Sequence, residues 1–245
     1  MVESFFYLTD DNKLNIARSL VRKTSPLFKF GYNSDIGTSY ETVWDGGGIY
    51  SYPTAANTVV VTSDGAANDS GIKVTVSGLD ADYNELSEEV TLDASGTATT
   101  SNTFIRVFRS FNSGNTDMNS TSDDMVMTLS GSTVAQFNGY DQQTLMAVYT
   151  VPAGKTFYLK RLVAGSGTEN VAYNTIVLRA RKPDGVFRTH NKITLRNAFD
   201  IQEFDVPLKF TEKTDIEVQA ISSQQTSEIS VSFEGIVYED REELI

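Results

Sequence analysis

No cysteine occurs in this chain, and histidine occurs once, at position 190. The first absence excludes disulfide staples and thiolate metal sites. The second excludes the usual structural zinc clusters, which draw several ligands from Cys and His. A serine or cysteine triad would have to recruit His190 as its base, and the Gly-x-Ser-x-Gly nucleophile elbow is missing. His190 lies in a turn-rich stretch between Arg188 and Lys192 and reads as an ordinary surface residue. No segment approaches the roughly 20 apolar residues of a membrane helix. The opening residues Met1-Val2-Glu3-Ser4-Phe5-Phe6-Tyr7-Leu8 lack the basic leader of a secretory signal. The expectation is a soluble protein made in a cytoplasm, without membrane contact and without a cofactor or metal.

What is present points to β-structure. Forty per cent of the 245 residues are hydrophobic and 11% aromatic, enough to build real cores. Short runs of Val, Ile, Phe and Tyr alternate with Ser, Thr, Asn and Gly, a texture that suits strands joined by turns. The net charge of −12 is uneven. Residues 1–30 hold five Lys/Arg against three Asp/Glu, residues 31–138 three against fourteen, and residues 139–245 twelve against fifteen. An acidic middle segment would repel phosphate backbones, so nucleic acid is not an expected partner.

One segment reads as a helix. With Thr9 or Asp10 as N-cap, Leu14, Ala17, Leu20 and Val21 recur at helical spacing, with Asp11 early and Arg22 and Lys23 late, in the order the helix dipole favours. Thr24-Ser25-Pro26 stops it. From Gly31 onward the pattern is strands and turns, clearest where Ile72, Val74 and Val76 alternate with Lys73, Thr75 and Ser77. A second set of strands starts near Thr144 and runs to Tyr238, with Pro183-Asp184-Gly185 as a strong turn. The charge shift and Asn138-Gly139 place a boundary near residue 139. The expected architecture is all-β: an N-terminal arm with a short helix (1–30), an acidic β-sandwich (31–138) and a jelly-roll-like β-sandwich (139–245).

Candidate chemistry is sparse. Glu88 and Glu89 on one strand point to opposite faces and cannot flank one glycosidic bond. Glu239, Asp240, Glu242 and Glu243 sit in a charged C-terminal stretch. Asp80-Ala81-Asp82-Tyr83-Asn84 resembles the start of a calcium loop, but Glu85 stands where that loop needs Gly and Thr91 where it needs Glu, so it reads as a hairpin turn. Gly46-Gly47-Gly48 lacks the Lys-Ser/Thr and helix of a phosphate loop and reads as a bend beside Trp44. Trp44, Tyr50 and Tyr52 are the natural sugar-stacking candidates and equally good core or interface residues. No catalytic residue is assigned, and the expectation is that the protein is not an enzyme.

The runs Phe30-Gly31-Tyr32-Asn33, Glu41-Thr42-Val43-Trp44-Asp45-Gly46-Gly47 and Gly78-Leu79-Asp80-Ala81-Asp82-Tyr83-Asn84-Glu85 resemble virion structural proteins of tailed phages that infect marine bacteria. Tyr149-Thr150-Val151-Pro152-Ala153-Gly154-Lys155-Thr156, with Phe204 to Lys213 and Phe233-Glu234-Gly235, is similar to jelly-roll domains of phage decoration and tail proteins. The resemblance implies a virion subunit: a capsid decoration or cement protein, or a neck, collar or tail-fibre-attachment component. Its implied partners are copies of itself, as a homotrimer, and the major capsid protein or other virion proteins. A carbohydrate-binding module for host glycans is the reading from another class. The arm, through Leu14, Ala17, Leu20, Val21, Phe28, Phe30 and Tyr32, is expected to dock on a partner, because so short a helix is marginal alone.

Overall fold

The computed structural model describes residues 12–167, 173–224 and 226–240. A short helix, α1 (Asn12–Ala17), leads into β1 (Thr24–Ile36) and the two-residue β2 (Glu41–Thr42). Seven strands follow: β3 (Asn57–Ser63), β4 (Lys73–Leu79), β5 (Glu85–Thr91), β6 (Thr97–Phe104), β7 (Arg106–Asn112), β8 (Asp124–Leu129) and β9 (Ser132–Asn138). The remainder comprises β10 (Val148–Thr150), β11 (Lys155–Gly167), β12 (Asn174–Arg181), β13 (Arg188–Leu195), β14 (Phe199–Phe210), β15 (Asp215–Ser222) and β16 (Ser227–Glu239). The all-β expectation holds.

The strand order shows how the chain is wound. One sheet runs β1-β16-β11-β14 and its facing sheet β10-β15-β12-β13, with β2 added to β15. Counted along the chain within this unit, β1 and then β10 to β16, these orders are 1-8-3-6 and 2-7-4-5, the pairing of a jelly roll. The first strand of the jelly roll is therefore β1, antiparallel to β16 from Thr24↔Tyr238 to Ile36↔Ser227. The other seven strands, in sheets β6-β3-β8-β9 and β5-β4-β7, form a second sandwich inserted between the first and second jelly-roll strands.

This arrangement corrects the division read from sequence. A boundary at residue 30 cuts through β1, and residues 24–30 are sheet, not arm. The jelly roll is assembled from both sides of the insertion. One core gathers Ile36 and Val43 with Ala147 to Val237. The other gathers Trp44 to Phe137 with Met146 and Val148. Insertion needs the two crossing segments to lie together. They do: Trp44 bridges Met146 in antiparallel fashion, and Ala147 N–H donates to Val43 O at 2.9 Å.

The helix also differs from expectation. It ends at Ala17, and positive φ at Ser19 and Lys23 turns the chain before β1. Asn15 and Ile16 are its buried residues, whereas Leu14 and Ala17 of the expected stripe are exposed and Leu20 and Val21 half-buried. Thr9, Asp10 and Asp11, read as its start, lie outside the described residues.

Candidate functional site

Polar chemistry concentrates where the inserted sandwich meets the jelly roll. Arg106, opening β7, reaches Asp215, opening β15, with Nε to Oδ1 at 2.8 Å and Nη2 to Oδ2 at 3.0 Å. Its Nη1 donates to Pro53 O at 2.7 Å and Ile105 O at 2.8 Å. Asp215 also accepts from Arg181 Nε at 3.0 Å and Thr150 Oγ1 at 2.7 Å. The Arg106 and Asp215 side chains are only 7% and 4% exposed, so the pair is desolvated, and it is sustained by multiple, near-saturating hydrogen bonds. The Arg106 guanidinium stacks on Tyr52 and Tyr83, 5.2 and 5.5 Å from the ring centroids.

Beside it, Glu217 accepts from Gln219 Nε2 at 3.0 Å and from Tyr52 OH at 3.4 Å, with Arg179 3.7 Å away. Burial pushes its pKa up to about 7, against the pull of Arg179 and Arg181. Two more titratable groups sit at the crossing, Lys29 buried and Asp45 half-buried. Lys29 of β1 donates to Phe108 O of β7, and burial, helped by Arg109, lowers its pKa to about 7. Asp45 receives Leu145 N–H at 2.7 Å, tying the outgoing segment to the returning one, and burial raises its pKa to about 8. No local pattern in the sequence assigns a role to Arg106, Asp215, Glu217, Lys29 or Asp45. Most of their long-range partners lie 34 to 165 positions away in the chain, a separation no local pattern encodes.

The motifs singled out in the sequence are structural here. Trp44 and Tyr50 are buried in edge-to-face contact, and Tyr52 continues the column to Tyr50 and Phe187, so they form no open stacking platform. Gly47 and Gly48 adopt positive φ, and Trp44 Nε1 donates to Gly47 O at 2.8 Å. The Asp80 carboxylate accepts the N–H groups of Asp82 and Asn84, each at 2.9 Å, closing a hairpin turn. Glu88 caps Ser101 and Asn102, while Glu89 pairs with Lys73 at 2.9 Å. His190 packs edge-on against Phe210, and its pKa is lowered by burial and by Arg188. Among the described residues no group of three or more His, Asp and Glu is placed to hold a metal, and no helix is long and apolar enough to cross a membrane.

Of the expected docking residues, Phe28, Phe30 and Tyr32 fall on one surface, while Leu14, Ala17, Leu20 and Val21 are not among the residues that line its groove. The outer face of the β1-β16-β11-β14 sheet reads, in register, Tyr32–Ser230–Gly165–Phe199, then Phe30–Ser232–Val163–Ile201, then Phe28–Glu234–Arg161–Glu203. Phe28, Phe30 and Tyr32 line one edge of this face, and Phe199 and Ile201 the other. Phe28 is 59% and Phe199 75% exposed. Between the edges, Arg161 Nε lies 2.9 Å from Glu234 Oε1, close enough for an ion pair but outside hydrogen-bond alignment. A groove of about 450 Å³ runs past Ile16, Phe28, Arg161, Glu203 and Glu234, with α1 at its side.

No protein-family model matches the chain, and no curated protein matches it in sequence. Among solved structures, one of infectious bursal disease virus Gt strain aligns over 90% of this chain and 78% of its own, at 11% identity and a TM-score of 0.19. The VP2 subviral particle of the same virus aligns over 89% and 72%, at 11% identity and a TM-score of 0.23. These neighbours come from virus particles. TM-scores this low carry no argument about fold or role, and the jelly-roll assignment rests on strand order alone.

Proposed function

We propose that this chain is a structural subunit of a virion, acting as a capsid decoration or cement protein that holds the shell by surface contact and catalyses nothing. One observation carries the reading: the jelly roll presents an outer sheet face edged by exposed aromatic and aliphatic residues, Phe28, Phe199 and Ile201. Exposed apolar groups gathered on one face mark an interaction surface. The sequence resemblance supports the same reading. Jelly rolls also occur in lectins, so the fold alone does not decide.

Quantitative mass spectrometry of purified particles tests the proposal. A copy number comparable to that of the major shell protein is the expected result. A few copies per particle would move the chain to a neck, collar or tail position. Absence from particles would overturn the virion role. A glycan array with the full chain addresses the carbohydrate-binding alternative.

A further inference from the structure

At one end of the jelly roll, the turn between β12 and β13 and the turn between β14 and β15 enclose a recess of about 400 Å³. Its floor is apolar, formed by Ala180 and Phe210 with the His190 ring against Phe210, and the exposed Val186 stands at its edge. Its rim carries Lys182, Arg188 and Lys209, all exposed. Among the described residues none of these three has a carboxylate within ion-pair distance. Arg181 also lines the recess but is committed to Asp215. At the wall, Thr214 Oγ1 is buried without a hydrogen-bond partner. Uncompensated cations around an apolar floor, with an orphaned hydroxyl, suit a carboxylate delivered on a partner surface.

The chain itself holds the complement. Residues 44–139, the inserted sandwich, contain three Lys/Arg against twelve Asp/Glu. Its far tip is built from the loops 64–72 and 113–123, neither of which contains a Lys or Arg. Asp64, Asp123 and Asp124 gather there, and Asp117 is exposed on the second of these loops. Asp124 N–H is held by Asp64 Oδ1 at 2.7 Å, and burial together with Asp64 and Asp123 raises the Asp124 pKa. The tip and the recess cannot meet within one molecule. β7 runs from Arg106, which touches Asp215 and hence the recess side, to Asn112, whose amide meets Thr116 and Gln142 at the tip side. The two charged surfaces thus lie at opposite ends of the subunit.

We infer that the recess of Lys182, Arg188 and Lys209 receives the acidic tip of a second copy of this chain, in a head-to-tail contact. Such a contact is heterologous: it closes into a ring where the rotation allows and otherwise propagates. It stands apart from the virion reading, since a chain that self-associates in solution but is missing from particles would overturn that reading alone.

Sedimentation velocity of the full chain tests it without any variant. Association at about 0.1 M salt should weaken at least about tenfold at about 1 M, where the screening length falls from roughly 10 Å to roughly 3 Å. Lys182→Glu with Lys209→Glu, and separately Asp117→Lys with Asp123→Lys, should each give monomers with unchanged circular dichroism. Mixing the two variants should restore a one-to-one complex. A wild-type monomer at low salt, salt-independent association, or failure of the mixture to associate would each overturn the proposal. So would binding of an acidic polysaccharide to a wild-type chain that stays monomeric, because the occupant would then be a sugar.

Discussion

Arg106 of the inserted sandwich grips Asp215 of the jelly roll through two hydrogen bonds, at 2.8 and 3.0 Å, with both side chains almost wholly removed from water. The pair joins residues 109 positions apart. It helps weld two sandwiches that also meet through the crossing segments and through Ala153 N–H donating to Tyr83 O at 2.9 Å. Removing one partner of a buried pair costs about 3–5 kcal/mol, since the other charge is left uncompensated. Here Arg181 and Thr150 remain on Asp215, which sets the expectation for Arg106→Met near the lower end. Urea denaturation should show that loss. The parent chain is expected to unfold in one transition, and in the variant that transition should split in two as the sandwiches uncouple. A variant that unfolds in one step at the parent midpoint would show that apolar packing alone holds the junction.

Glu217 gives the junction a pH dependence of known sign. Its folded pKa of about 7 lies above the ordinary value of 4.5. The stability it contributes is fully present below about pH 4.5 and is lost as pH rises through 7, by up to about 3 kcal/mol. Asp45, raised to about 8, acts in the same direction over a wider window. Glu217→Gln should flatten the stability profile between pH 4.5 and 7, measured by chemical denaturation at fixed pH values. An unchanged slope would mean that Glu217 is ionised and paired across that range.

Lys29 works in the opposite direction. Its folded pKa of about 7 lies below the ordinary 10.5, so stability rises between pH 7 and 10.5 and is lost as pH falls through 7. Lys29→Met should therefore be more stable than the parent at pH 6, by up to about 4 kcal/mol. Above pH 10.5 the order should reverse slightly, because Phe108 O loses its donor. Melting curves at the two pH extremes check this, and a variant less stable at both would refute it.

Gly31 marks where β1 lies hard against the crossing segments. A Cβ there would sit 2.3 Å from Val43 O and 2.4 Å from Ala147 N, both backbone atoms that cannot yield cheaply. Gly31→Ala should cost at least the 1–3 kcal/mol usual for overpacking. A melting temperature within a degree or so of the parent would show that the crossing segments have slack.

Truncation separates the helix from the sheet. Deleting residues through Arg22 removes α1 but leaves all of β1, and both cores should stay folded by circular dichroism. Deleting through Ile36 strips β16 of its antiparallel partner and takes Ile36 from the core, so the jelly roll should not fold. A folded protein after the longer cut would mean that residues 139–245 suffice for the jelly roll, as the sequence division implied.

β1 shows why part of the architecture was hidden. Its inward positions are Leu27, Lys29, Gly31 and Asn33, and its outward ones Phe28, Phe30 and Tyr32, the inverse of the usual alternation. Lys29 and Gly31 are inward because another domain and two crossing strands approach that face, the first taking a hydrogen bond and the second leaving no room for a side chain. Read locally, the aromatics mark a docking arm. β4 had no such visitor, so its Val74 and Val76 face the core and were legible as written. β6 and β9 lack a clean local signal: Thr97 to Thr103 is a mostly exposed polar run, and in β9 a bulge buries the adjacent Val134 and Ala135 together, which breaks the alternation.

The sequence by itself determined the β class and most of the strands, because side-chain alternation and turn chemistry act over a few residues. It also determined that no disulfide can form and that acid is concentrated in the middle of the chain. Only the tertiary structure decided that β1 completes the jelly roll, that the acidic sandwich is an insertion within it, and that Arg106, Asp215, Glu217, Lys29 and Asp45 meet at the seam. Those facts depend on pairings across tens to more than a hundred residues, where burial of the joint surface, and no local preference, selects the partner.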